Sequence, residues 1–148
     1  MNPWLKWSTF IFFALVAGSG LVLAWMIWML EPINEWAVVH HPWQSHTQHL
    51  HVLLAPGLVL VIGALLQQHG LSYWFGKVWM RRKSGGLILF LALPMIFSGT
   101  ALQVSVEQSW RQFWSWFHGI SSLLWTCGLL AHLFIGLNKI LFRFPRKS

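Results

Sequence analysis

Four apolar stretches dominate the chain, separated by short polar connections. They run from Ser8 to Leu30, from about His49 to Gln68, from Gly85 to Val104 and from about Phe117 to Phe142. A helix needs about 20 apolar residues to cross the hydrocarbon core of a bilayer, and each stretch is long enough. The pattern predicts an all-α transmembrane four-helix bundle, with residues 1–148 forming a single integral-membrane domain. The first stretch is too long for a secretion signal, carries Trp25 and Trp28 inside and lacks a convincing cleavage site, so it reads as a mature helix. Pro56 and Pro94 interrupt the second and third helices. They predict bends, which membrane helices tolerate where neighbours re-satisfy the freed carbonyls. No internal repeat or low-complexity tail is evident.

Composition agrees with the pattern. Hydrophobic residues make up 56% of the chain and charged residues 9%, against about a quarter charged in soluble domains. The chain is therefore solvated mostly by lipid. Many of its 12 tryptophans, among them Trp4, Trp7, Trp36, Trp43, Trp74, Trp79, Trp110, Trp114 and Trp116, lie near segment ends. There the apolar ring and polar N–H both find a partner. The single Cys127 excludes a disulfide framework and a cysteine metal cluster. Its apolar run predicts a packed thiol.

The net charge of +7 is a topology signal and does not point to nucleic acid. Lys6 precedes the first helix. Lys77, Arg81, Arg82 and Lys83 lie between the second and third. Lys139, Arg143, Arg146 and Lys147 end or follow the fourth, and only Arg111 falls on the other side. The positive-inside rule then puts both termini and the middle connection in the cytoplasm. The His-rich loop and the loop with Glu107 and Arg111 face out.

Four histidines bracket two of the helices: His51 and His69 the second, His118 and His132 the fourth. An ionisable side chain at membrane depth is costly and marks a functional site by default. His118 and His132 are 132 − 118 = 14 residues apart, which leaves them about 40° apart on one helix face and about 21 Å apart along it. His51 and His69 are 69 − 51 = 18 residues apart, which is five whole turns and about 27 Å. A bend at Pro56, tilt or long rotamers absorb the mismatch.

The two helices both enter from outside, so His51 pairs in depth with His118 and His69 with His132. Two such pairs suit bis-imidazole ligation of two stacked haems. Neutral imidazole is a good iron ligand, and coordination removes an unpaired nitrogen from lipid. Haems ligated in this way have no open position, so they carry electrons and do not activate oxygen. A single histidine at a helix end is commonly interfacial; four in register point to ligation.

His49 stands two residues from His51, about 200° away on a helix, so only one of them faces the bundle. His51 keeps register with His69 and is the candidate ligand. His49 either contacts a haem propionate or faces away. His40, His41 and His46 lie further out. They are either solvated loop residues or, with Glu35, part of a proton-release or quinol site. Gly85 and Gly99 on the third helix repeat the 14-residue interval. They either let a porphyrin approach the helix or serve small-residue packing.

At these residues the chain resembles the small membrane dihaem b-type cytochromes, a superfamily that includes the cytochrome b subunits of respiratory hydrogenases and formate dehydrogenases. The matching pieces are His49-Leu50-His51 followed by Ala55-Pro56, then His69, Lys83-Ser84-Gly85, Ser98-Gly99 and the His118/His132 pair. They cover the second to fourth helices, and the first matches only as an apolar span. Some members take a ligand from their first helix. Here that helix has no histidine, so the second must supply both levels.

The resemblance implies two haem b groups and electron exchange between the quinone pool and a peripheral redox protein, such as a c-type cytochrome or other oxidoreductase subunits. The setting it implies is a bacterial inner membrane with the His-rich loop in the periplasm. Quinone or quinol would bind at one end, and Lys77, Arg81 or Arg111 could pair with propionates. With no soluble domain for its own flavin or iron–sulfur site, the chain is expected to be the redox subunit of a larger quinone-linked oxidoreductase complex. The alternative is a haem-free membrane anchor, assembly factor or small transporter using its histidines for metal or proton binding.

Overall fold

The computed structural model of the protein describes residues 2–34, 36, 39–71 and 82–141. The described residues form four helices: α1 (Pro3–Met29), α2 (Gln44–Leu65), α3 (Arg82–Val104) and α4 (Gln108–Leu141), with a π-helical turn at Leu66–Gly70 directly after α2. All four helices are long and apolar enough to span a membrane, the architecture of a multi-pass membrane protein.

Every helix begins earlier than its apolar run. In α1, α2 and α4 the reason is a polar or aromatic signal that hydrophobic length alone does not register. In α1, Asn2 caps the helix by accepting the Trp4 N–H at 3.1 Å, and Pro3 occupies the first turn, where its missing N–H costs nothing. The helix stops at Met29, because Glu31 precedes Pro32 and is disfavoured from helical geometry. In α4 the rings of Trp110, Phe113, Trp114 and Phe117 recur at helical spacing and pack on one another. Phe113 meets Trp114 edge-on at 4.9 Å and stacks on Phe117 at 6.0 Å. This aromatic stripe carries the helix back to Gln108, where Phe117 had been the expected start. Trp114 also meets Phe97 of α3 edge-on at 5.6 Å.

The chain divides into two compact units, Met1–Ser72 and Tyr73–Ser148. In the first, α1 packs on α2 around Val16, Met26, Leu58 and Val61. His40 ties the connection. Its ring donates from Nδ1 to the carbonyl of Leu30 at 2.7 Å, just past the end of α1, and its backbone N–H donates to the buried Gln44 side chain at 2.8 Å. An orphan carbonyl at a helix end and the first residue of the next helix are thereby satisfied together. His40 is accordingly a half-buried staple between helices; His46 is exposed.

In the second unit α3 packs on α4 around Ala92, Met95 and Trp125. Arg111 donates to the carbonyl of Ser105 at 3.1 Å across the short α3–α4 turn. Outward-facing side chains are large and apolar: Leu53 is 77% exposed, Leu60 75% and Phe90 68%. Such a surface suits contact with lipid. Cys127 lies on this exposed side, so the packed thiol expected from its apolar run is corrected. A thiol is apolar enough to face hydrocarbon.

The α1–α2 crossing depends on Gly57, whose missing side chain leaves room for the Phe12 ring. A methyl group at Gly57 would overlap Phe12 Cε1. Overpacking a fitted contact costs roughly 1–3 kcal/mol. Gly57→Leu is expected to destabilise the first unit by about that amount in denaturation of the detergent-solubilised protein. Adding Phe12→Ala should recover most of the loss, because the two changes share one contact. Equal stability of Gly57→Leu and the unmodified protein would show that the crossing does not rest on this fit.

Candidate functional site

Several polar groups within the spans meet on the contact faces of the two helix pairs. Ser98 of α3 is the extreme case at 0% exposure. Its hydroxyl donates to the carbonyl of Pro94 at 2.6 Å or of Met95 at 3.1 Å. The His118 ring of α4 lies against it, with Nδ1 3.0 Å from the Met95 carbonyl and 3.2 Å from Ser98 Oγ. A carbonyl only accepts, so Nδ1 carries the proton and donates. The second nitrogen, Nε2, then bears the lone pair, with Ser122 Oγ 3.5 Å away.

Gly99, the next residue along α3, makes room for this ring. A Cβ there would stand 3.0 Å from His118 Cε1, 3.3 Å from Nδ1 and 3.8 Å from Nε2. The Nδ1–Cε1 edge therefore faces α3, and Nε2 is the most remote of the three atoms. Ser121, also buried, completes the cluster 3.4 Å from Ser98 Oγ.

The first unit builds the same arrangement from different helices. Ser19 of α1 donates to the Val16 carbonyl at 3.1 Å, and His51 Nδ1 of α2 lies 3.0 Å from Ser19 Oγ. The hydroxyl has one hydrogen, already committed to Val16, so it accepts from the Nδ1–H. The Val16 carbonyl also takes a hydrogen bond from the His51 side chain. A Cβ at Gly20 would stand 3.0 Å from His51 Cε1, 3.4 Å from Nδ1 and 3.8 Å from Nε2. Serine, the carbonyl three residues before it, the glycine after it and the imidazole of the following helix thus recur in both units.

A third pair is partial. Ser84 Oγ lies 2.9 Å from His132 Nδ1, but the space around Gly85 is open to 4 Å. Ser-Gly occurs three times in the chain, at Ser19-Gly20, Ser84-Gly85 and Ser98-Gly99, and each serine meets a histidine Nδ1.

Comparison with protein families, with curated proteins and with solved structures returned no match for the chain. Function must be argued from these contacts.

The expected site residues fall as follows. Of the neighbouring pair, His51 turns onto α1 and His49 is exposed. His118 and His132 are half-buried on α4 against α3. His69 falls in the π-helical turn, a local geometry frequent at functional sites, but its side chain lies outside the described residues. So do Glu35, Lys77 and Arg81. Gly99 accommodates an imidazole; Gly85 has room beside it. Ser19 and Gly20 were not anticipated, because α1 has no histidine and a small-residue pair in an apolar helix reads as packing. The recurrence of Ser-Gly was the signal available.

These imidazoles fit a haem chemically. Iron-bound histidine uses one ring nitrogen and typically donates the other N–H to an oxygen, which fixes the tautomer and orients the ring. His51 and His118 are set in that tautomer by their own helix partners. Two nitrogens suffice for axial ligation. Among the described residues no three His, Cys, Asp or Glu side chains gather where they could hold a metal ion.

Proposed function

We propose that the chain is a membrane electron-transfer subunit, holding two b-type haems by paired imidazoles and passing electrons between the quinone pool and a partner redox protein. The observation that carries this reading is the matched state of His51 and His118. Each stands within an apolar span that lacks acidic residues, donates from Nδ1 to oxygens of the preceding helix, and keeps its lone pair on Nε2. A neutral imidazole held in this way inside lipid is prepared for coordination.

The ligand pairs proposed from the sequence are His51 with His118 at one level and His69 with His132 at the other. A bis-imidazole haem supplies one-electron transfer and offers no open position for oxygen. The residues of this chain orient the ring nitrogens and exclude water through their apolar surroundings, two of the means by which a protein tunes such a centre. The open space at Gly85, beside the Ser84–His132 contact, suits the close approach of a flat group.

The basic flanks support a setting in a bacterial inner membrane with both termini and residues 72–81 in the cytoplasm and His46 and His49 towards the periplasm. A quinone exchanges electrons at one end and a peripheral subunit docks at the other, so the chain works within a larger oxidoreductase. The purified protein is expected to show sharp b-type bands in reduced-minus-oxidised absorption, and pyridine haemochrome assay should find two haems per chain. A colourless preparation, expressed with haem in supply, would overturn the proposal.

A further inference from the structure

We infer that Ser19 and Ser98 are positioning residues: each shares with a backbone carbonyl, of Val16 or Met95, the Nδ1–H of the imidazole it touches, His51 or His118, and so orients the ring with Nε2 as the coordinating atom. Where that atom binds a haem, the clamp also sets the haem's electron affinity; this second part rests on the function proposed above, and the first does not.

The geometry gives the hydroxyl a specific task. Ser19 and Ser98 each spend their one hydrogen on a carbonyl of their own helix, three or four residues back. What remains on the oxygen is acceptor capacity alone, aimed at Nδ1 at 3.0 Å in one unit and 3.2 Å in the other. A hydroxyl whose hydrogen were unspent could donate to Nδ1 and favour the opposite tautomer, which would leave the lone pair facing the helix. The back-bond to the carbonyl removes that choice.

The glycine that follows lets the ring edge approach to about van der Waals distance, which keeps the hydrogen bond short. Side chains of the two units come from unrelated stretches of sequence, with 51 − 19 = 32 residues between partners in one and 118 − 98 = 20 in the other. Even so, corresponding distances from the two glycines to the ring atoms agree to about 0.1 Å. Packing alone would not demand such agreement.

For haem chemistry the clamp has a signed consequence. An Nδ1–H donating to neutral oxygens makes the imidazole a stronger electron donor, which favours the ferric state. Removing the hydroxyl weakens that hydrogen bond and favours the ferrous state. A net hydrogen bond of roughly 0.5–1.5 kcal/mol sets the scale. The ferric-to-ferrous ratio at a fixed ambient potential should therefore fall by up to about tenfold.

The test uses the full-length protein in detergent, in the unmodified form and as Ser19→Ala, Ser98→Ala and Ser19→Thr. Nitrogen-15 spectra of histidine-labelled, haem-free protein report the tautomer directly. The Nδ1–H signals of His51 and His118 should each shift, one at a time, in Ser19→Ala and Ser98→Ala, where only the carbonyls of Val16 and Met95 remain as acceptors. Ser19→Thr, which keeps a hydroxyl able to back-bond, should restore the first. Redox titration of the haem-loaded variants should show the ratio of one haem shifted towards ferrous by the alanine variants and restored by threonine. Nδ1–H signals of His51 and His118 that stay in place in both alanine variants would overturn the inference. A haem-free wild type would overturn the proposed function, while the nitrogen-15 spectra would still decide the clamp.

Discussion

On the proposed function, His118→Ala is expected to remove one of two b-type haems and leave the other. The imidazole is half-buried in an apolar span, and the groups around it, the Met95 carbonyl and the hydroxyls of Ser98 and Ser122, are poor ligands for haem iron compared with imidazole nitrogen. None of these three groups replaces Nε2. The haemochrome assay should therefore fall from two haems per chain to one. His51→Ala should remove the same haem, and the double variant should lose no more than either single, the non-additivity expected of residues acting on one group. His132→Ala should remove the other haem. His49→Ala should retain both, since His49 is exposed where His51 is packed. Two haems in both His51→Ala and His118→Ala would refute this ligand assignment.

This prediction was largely readable from sequence, and the physical reason is periodicity. His118 and His132 repeat at a near-integral number of turns, and apolar length located the spans around them. Length could not locate the helix starts. The Asn2 cap, the Gln44–His40 contact and the Trp110–Phe117 stripe extend helices beyond the hydrocarbon, where hydropathy falls but helical hydrogen bonding continues. The role of α1 was also hidden. Histidine stands out in an apolar helix because its burial is costly; serine does not, since it can satisfy itself on its own backbone. Only the tertiary contact shows that the Ser19 oxygen has a second use. His40 misled in the opposite direction: a histidine in a loop reads as solvated, yet it closes a helix end.

Gly99→Val should be nearly as damaging to haem content as His118→Ala, although it leaves every proposed ligand in place. The Cβ alone would stand 3.0 Å from His118 Cε1, tight enough that the ring must yield by a few tenths of an ångström. The ring cannot yield cheaply, because its Nδ1 is bonded to the Met95 carbonyl and Ser98. Valine adds two further methyl groups on a stiff β-branched side chain, and overpacking of this kind typically costs about 1–3 kcal/mol. The imidazole is then displaced from the groups that orient it, and losing such orienting partners typically costs a metal site roughly 10–100-fold in affinity. Gly20→Val should act alike through His51, whose Cε1 stands at the same 3.0 Å. Gly85→Ala provides the contrast. With open space to 4 Å around Gly85 among the described residues, its new methyl has room there, and the protein should fold and keep the Ser84–His132 contact. Haem lost from that variant alone would place a porphyrin face against Gly85. Full haem content in Gly99→Val and Gly20→Val would show that the fitted imidazoles of His118 and His51 are not the ones that hold it.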